Sequence, residues 1–321
     1  MVRLGPIGAG WDMDRSAPGR YPLRPMAQIR ALRKRMLAVR TIARITKTMQ
    51  MIATAKFTAA QQRVRGTRPY TEAIRSLVGE VTAAAGDVEH PLLRQVDQEP
   101  KRVLILVITS DRGLCGAYNG HVLRTAGGWA RPFVAKGGDI RLEVAGKKGL
   151  SYFKFVKLPV AERVSLGGKP TFEQIEAIAQ RYIDGYVRGE YDAVRVAYMK
   201  FVSSARQMPE VMQILPLSAG AAPSGGAAAE ASSGAKTVYE FSPDAKALLD
   251  HLLPQAVKIS LFQAVNDSIV SEHAMRMVAM KAATDNARGL GKTLNRMYNR
   301  ARQAKITTEL TEIVSGAAAL E

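Results

Sequence analysis

Between residues 26 and 65 the chain has neither proline nor glycine, and its larger apolar residues recur at helical spacing. Ile29, Leu32, Met36, Val39, Ile42, Ile45, Met49 and Ile52 are separated by 3, 4, 3, 3, 3, 4 and 3 positions. That is close to the 3.5-residue repeat of a coiled-coil seam, with one slip after Val39. Gly66 and Pro69 are places for a kink, after which Ile74, Leu77, Val78 and Val81 carry the pattern to about Ala85. A helix of some 60 residues spans roughly 90 Å, far longer than a globular helix. Near the other end, Ser242-Pro243-Asp244 reads as a helix start, with Ser242 as N-cap and proline in the first turn. Phe262, Val265 and Ile269, then Leu290, Leu294, Met297, Ala301 and Ala304, continue an apolar stripe to about Ser315. Pro254 is expected to bend this helix, and Gly289 and Gly291 to weaken it. Two such helices predict an antiparallel pair. Two amphipathic helices laid on a globular core are the alternative.

The charge follows the same division. The chain has 46 Lys and Arg against 28 Asp and Glu, a formal net charge of +18. Residues 26–71 hold eleven basic residues and no acidic one, and residues 276–305 hold eight against Asp285 alone. These two stretches account for the whole excess, so the middle of the chain is neutral. A positive surface makes nucleic acid the first partner to consider. However, the face opposite the basic residues is apolar, no aromatics are interleaved for base stacking, and Trp11 and Trp129 lie outside both stretches. A basic helical nucleic-acid-binding protein is therefore kept as the alternative function. With 47% hydrophobic residues the chain can bury a core, and no uncharged apolar run is long enough to span a membrane. One cysteine and four histidines argue against an internal disulfide and against a metal centre; no metal or cofactor is expected.

The neutral middle, residues 100–217, reads as a Rossmann-like α/β domain. Residues 102–110 (RVLILVITS) are the continuous apolar run of a buried parallel strand. A helix over 117–130, a strand over 139–145, a short helix over 146–155, a Thr171-capped helix over 171–189, and strands over 192–203 and 208–217 follow. Residues 218–236 (SAGAAPSGGAAAEASSGAK) are a low-complexity loop, and 237–241 a short strand. The fold class is thus α/β, with terminal helices over 26–85 and 242–321 as a long antiparallel coiled coil. Residues 1–25 read as a disordered extension or a misassigned start; they lack the apolar core of a signal peptide.

Three short motifs invite chemistry. Gly289 to Thr293 (GLGKT) resembles the end of a phosphate-binding loop, but Asn286 stands where that loop needs glycine and the stretch lies in a helical pattern. Gly146-Lys147-Lys148-Gly149 lacks the magnesium-binding hydroxyl and reads as a turn. In Ser110 to Gly116 (SDRGLCG), Cys115 follows a central strand and is a candidate nucleophile with His121 the nearby base. The plainer reading is a tight structural turn of Asp111, Arg112, Gly113, Cys115 and Gly116. No residue is assigned as catalytic.

Taken together, the chain resembles the gamma subunit of the rotary F-type ATP synthase. The residues that carry the resemblance are Arg44 to Phe57 (RITKTMQMIATAKF), the SDRGLCG turn, Ser271 to Ala287 (SEHAMRMVAMKAATDNA), and Tyr298 to Leu320 (YNRARQAKITTELTEIVSGAAAL). The likeness spans 26–320, and residues 218–236 have no counterpart in it. It implies a non-catalytic rotor shaft. The paired terminal helices would stand inside a hexamer of alpha and beta subunits, and the α/β domain would rest on the c-subunit ring beside the epsilon subunit. Proton-driven rotation would carry each beta-subunit site in turn through ATP synthesis. Contact with the membrane would be indirect, through the ring, on the cytoplasmic face of the bacterial inner membrane, with the mitochondrial matrix side as second reading.

The resemblance also implies roles for single residues. Arg44, Lys47 and Met49 would face the acid-rich lever loop of a beta subunit. Arg302, Gln303 and Thr307 would engage the alpha and beta subunits near the top of the shaft. Tyr239 would contact the ring, with Glu240 standing in for the acidic residue the family often places before the proline, where this chain has Ser242.

Overall fold

The computed structural model describes residues 25–85, 90–93, 100–217 and 245–318. The tail before Pro25, the 218–236 loop, the 237–241 strand and the cap at Ser242 lie outside them. The described elements are α1 (Pro25–Ala85), a single 3-10 turn (Pro91–Leu93), β1 (Arg102–Ile108), α2 (Tyr118–Ala135), β2 (Asp139–Ala145), α3 (Lys147–Phe155), β3 (Glu162–Val164), α4 (Phe172–Val187), β4 (Ala193–Phe201), β5 (Gln207–Leu215) and α5 (Ala245–Ala318). They form two compact units, one from Ile45 to Ala283 and one from the residues before and after it.

The unit over 45–283 is built on a five-stranded sheet in the order β3-β2-β1-β4-β5. β1 pairs in parallel with β2 and β4, β2 pairs in parallel with β3, and β5 closes the sheet antiparallel to β4. Every residue of β1 after Arg102 is buried, because both faces of the sheet are covered. On one face Leu104, Leu106 and Ile108 meet Ile175, Ala179 and Tyr182 of α4 and the α5 residues Leu253, Val257 and Val265. On the other, Ile105 and Val107 pack with Tyr118 and Val122 of α2 and Phe153 of α3. α4 starts with a capping box: the Gln174 amide donates to Thr171 Oγ1, and the Gln174 side chain accepts from the Thr171 amide. The strand missing from the sequence reading, β3, has only three residues, too few for a periodic signal.

A single carboxylate, Glu143 of β2, lies inside this sheet at 1% exposure. Arg181 reaches it at 2.7 Å and the Tyr182 hydroxyl donates to it at 2.8 Å. Arg181 also pairs with Glu162, so one guanidinium ties β2 to the edge strand β3. Burial, and then the nearby Glu143 charge, hold the Tyr182 hydroxyl protonated well above its ordinary range.

α1 and α5 also meet in this unit. Phe57 and Ala60 pack against Val270 and Ala274, and the Phe57 ring lies 5.9 Å from that of Phe201. Farther along α1, Val81 joins the cluster holding Leu249 and Leu253, so the two helices run in opposite directions.

The remaining unit is two helical segments whose burial is periodic. Along α5, Thr284, Ala287, Gly291, Leu294, Tyr298, Ala301 and Lys305 are buried or half-buried at steps of 3 and 4, and all but Thr293 between them are exposed. Along α1, Ile29, Leu32, Met36, Val39 and Ala43 show the same steps. The segments touch where Gly291 faces Val39, whose Cγ1 would lie 3.9 Å from an added Cβ. Within the larger unit α1 keeps the repeat through Thr46, Gln50, Ala53, Phe57, Ala60 and Val64.

This corrects the expected register of the seam. The seam does not slip after Val39; a strict 3.5 repeat continues through small or polar side chains, which permit close approach of two helices. The larger Ile42, Ile45 and Ile52 are about half exposed, as are Leu290 and Met297 on α5. α1 continues through Pro69 and α5 through Pro254, and Gly289 to Thr293 lies within α5, as its helical pattern and Asn286 predict.

Candidate functional site

Two features stand out from the packed fold. The first is the outer surface of α1 and α5. In the smaller unit Arg30, Arg33, Lys34, Arg35, Arg40 and Arg44 of α1 are exposed, as are Arg288, Lys292, Arg296, Arg300 and Arg302 of α5. Large apolar side chains share this surface: Leu37, Ile42, Leu290, Met297, Ile306 and Leu310 are each about half exposed, and Ile313 and Val314 about two-thirds. After Lys305 every described residue of α5 is exposed. Apolar side chains exposed in such numbers among cations mark a surface that another protein covers.

The residues singled out for partner contact divide between the units. Arg44, Arg302, Gln303 and Thr307 belong to the smaller one, and all four are exposed. Thr307 Oγ1 donates to the Gln303 backbone carbonyl at 3.0 Å, a helix-internal bond. Lys47 and Met49 belong to the larger unit; Lys47 is exposed and donates to Gln50 Oε1 at 3.4 Å, while Met49 is half-buried. Tyr239 and Glu240 lie outside the described residues.

The second feature is the Ser110–Gly116 turn, entirely within the larger unit. It leaves the carboxyl end of β1 and must enter α2 almost at once, and Leu114 and Gly116 take positive φ angles of 63° and 60° to do so. For a leucine this conformation costs about 1–2 kcal/mol. It is held by a polar lattice. The Ser110 amide donates to Asn119 Oδ1 at 2.9 Å, Asn119 Nδ2 donates to Ser110 Oγ at 2.8 Å, and Ser110 Oγ contacts the Arg112 carbonyl at 2.7 Å. Asp111 accepts from the Lys147 amide at 3.1 Å, capping the start of α3. Cys115 is 2% exposed and accepts from Asn119 Nδ2 at 3.2 Å. It is a filler of the turn, not an accessible nucleophile. Of the turn residues, Asp111 and Arg112 are exposed, with the Asp111 carboxylate turned to the Lys147 amide, while the backbone carbonyls of Arg112 and Gly113 turn toward α5.

There they meet Arg276, which the sequence reading counted only as one of many cations. Arg276 is 9% exposed. Its Nη2 donates to the Arg112 carbonyl at 3.0 Å and to the Gly113 carbonyl at 3.4 Å, and Nε reaches Gly113 at 3.4 Å. Nη1 pairs with Glu272, one turn earlier, at 2.7 Å, and lies 3.4 Å from His273 Nδ1. Burial raises the Glu272 carboxyl above its ordinary range, against the pull of Arg276. Burial, reinforced by Arg276 and by Lys56 of α1, pushes His273 down to about 4. One turn on from Arg276, Ala279 lies against Gly116. The sequence signal for this socket was a Glu and an Arg four residues apart on an otherwise apolar face.

Beside the turn, at the carboxyl ends of β1, β2 and β3, a cavity of about 70 Å³ is lined by Thr109, Asp111, Gly146, Arg163, Ser268 and Glu272 among others. This is where ligands of open α/β sheets bind, but the space suits a few waters and not a nucleotide.

Comparison with known proteins gives one answer. The family model described as ATP synthase matches residues 28–320. The ATP synthase gamma chain of Desulforudis audaxviator is 41% identical over 301 residues, and that of Rhodopirellula baltica 37% over 297. Each alignment covers 92% of this chain and all of the relative. Among solved structures, a chain of the Euglena gracilis mitochondrial ATP synthase superposes with a TM-score of 0.64 at 20% identity, covering 91% of this chain and 94% of that one. A Euglena gracilis rotor chain gives 0.60, covering 87% and 99%.

Proposed function

The chain belongs to the ATP synthase gamma-chain family, and on that premise we propose that it turns as the central stalk of a rotary F-type ATP synthase. The observation that carries this reading is the exposed basic and apolar surface of α1 and α5, set on a regular two-helix seam. Within one chain, half-exposed Ile, Leu and Met at this density have no purpose; inside a collar of partner subunits they are the bearing surface. The alpha and beta subunits form that collar, the c-subunit ring holds and turns the α/β fold, and the epsilon subunit sits beside it.

The mechanism is conformational. A shaft with different residues around its circumference presents different contacts to three otherwise equivalent beta-subunit sites. Its orientation therefore biases each site among states that bind ADP and phosphate, form ATP and release it. Arg44, Lys47 and Met49 are assigned to contact with an acidic beta-subunit loop, and Arg302, Gln303 and Thr307 to contact with the alpha and beta subunits. Tyr239 and Glu240 are assigned to the ring. The bond-making steps belong to the beta subunits, and this chain supplies no catalytic group. Among the described residues no helix is long and apolar enough to cross a membrane, in keeping with peripheral attachment through the ring. We place the assembly on the cytoplasmic face of the bacterial inner membrane.

Mixing the purified chain with alpha and beta subunits tests this. A stoichiometric complex that hydrolyses ATP is the expected result; failure to assemble such a complex contradicts it.

A further inference from the structure

We propose that Arg276 is the positioning residue that locks the α/β fold to α5 against rotation, so that torque applied to the fold reaches the helix. The inference rests on the stalk reading above and adds a specific joint to it.

The argument starts from what each kind of contact resists. α5 lies on the sheet through Leu249, Leu253, Val257, Leu261 and Val265, an apolar bed. Burial of apolar surface is non-directional: it opposes separation strongly and a small roll of the helix about its own axis weakly. Hydrogen bonds, by contrast, weaken steeply with angle. Directional ties add to that bed: Lys258 of α5 pairs with Glu176 of α4 at 2.9 Å, through an ammonium whose donors rotate. Ser271 Oγ donates to the Met199 carbonyl at 3.2 Å, and five residues on, Arg276 engages both the Arg112 and Gly113 carbonyls. The Arg276 tie is the most directional of these, because its charged, planar fork spans two fixed acceptors.

The surroundings prevent that fork from swinging away. Nη1 is pinned by Glu272, and His273 is kept neutral, with Nδ1 free to accept from the guanidinium. On the opposite side, the carbonyls belong to a turn that strain and the Ser110–Asn119–Cys115 lattice fix in one conformation. A rigid turn gripping a rigid guanidinium gives a joint with little play. Gly116 completes it: an added Cβ would stand 3.6 Å from Ala279 Cβ, so the turn backbone lies directly on the helix.

The test uses the complete membrane-bound complex in sealed vesicles and reads protons pumped per ATP hydrolysed. Arg276→Gln should lower that ratio about threefold or more at temperatures well below its melting point. Arg276→Lys, which keeps the Glu272 pair but cannot span both carbonyls, should fall between. A covalent substitute for the joint is available, since the Gly116–Ala279 separation matches the Cβ distance of a disulfide. In a Cys115→Ala background, Gly116→Cys with Ala279→Cys, closed with diamide, should restore the ratio of the Arg276→Gln complex, and reduction should abolish the rescue. An Arg276→Gln complex that pumps with the wild-type ratio overturns the joint while leaving the stalk reading intact. So does a closed disulfide that restores nothing to the Arg276→Gln complex although the same disulfide leaves the ratio of the Arg276 parent unchanged. A wild-type chain that forms no ATPase-active complex overturns the stalk reading itself.

Discussion

His273 shows how much a single side chain in this chain depends on a neighbour distant in sequence. Buried beside Arg276 and within reach of the Lys56 charge, it titrates at about 4 instead of near 6.5. The folded state therefore resists a proton that the unfolded state accepts. The stability contributed by neutral His273 is full above pH 6.5 and is lost as pH falls from 6.5 toward 4. His273→Gln keeps an acceptor for Arg276 without the titration. Its melting temperature should fall less steeply than that of wild type across that window, as read by thermal unfolding at stepped pH; parallel curves contradict the assignment. The same locality explains what the sequence left hidden. Arg276 could be counted as a cation, but its acceptors are backbone carbonyls more than 160 positions away, which carry no residue signature. Cys115 was legible as a turn filler because its neighbours, Leu114 and Gly116, already mark a tight bend.

At the scale of elements, the sheet was easier to read than the seam. β1 announces itself as an unbroken apolar run because both its faces are covered, and the alternation of strand and helix fixes a parallel order around it. The seam was misread because hydrophobicity alone chooses Ile42, Ile45 and Ile52, whereas the 3.5 repeat chooses Ala43, Thr46 and Ala53. Periodicity is the better guide when a helix has two surfaces to satisfy, one toward its partner helix and one toward other subunits. Mutation separates the two surfaces. Phe57→Ala removes a buried ring from the contact with Val270, Ala274 and Phe201 and should cost about 3–5 kcal/mol in chemical denaturation. Ile52→Ala, five residues away on the exposed face, should change the isolated chain by no more than about 0.5 kcal/mol. Equal losses at both positions would place Ile52 in the seam and refute the register.

At the scale of the whole molecule, the +18 charge is a property of the two helices and not of the α/β fold. Composition alone points such a chain toward nucleic acid. Position points it elsewhere, since the cations share their helices with exposed Ile, Leu and Met and with a seam that pairs the helices. We read this surface as the bearing of a shaft, in keeping with family membership, and the buried socket at Arg276 as the hold of the α/β fold on that shaft. The central claim is that this chain rotates, and the most direct measurement is optical. With the alpha and beta subunits fixed to a surface and a gold particle attached to the α/β fold of this chain, ATP should drive the particle in one direction, pausing at three positions per turn. A particle that only fluctuates about a fixed angle, while the same complexes hydrolyse ATP, would contradict it.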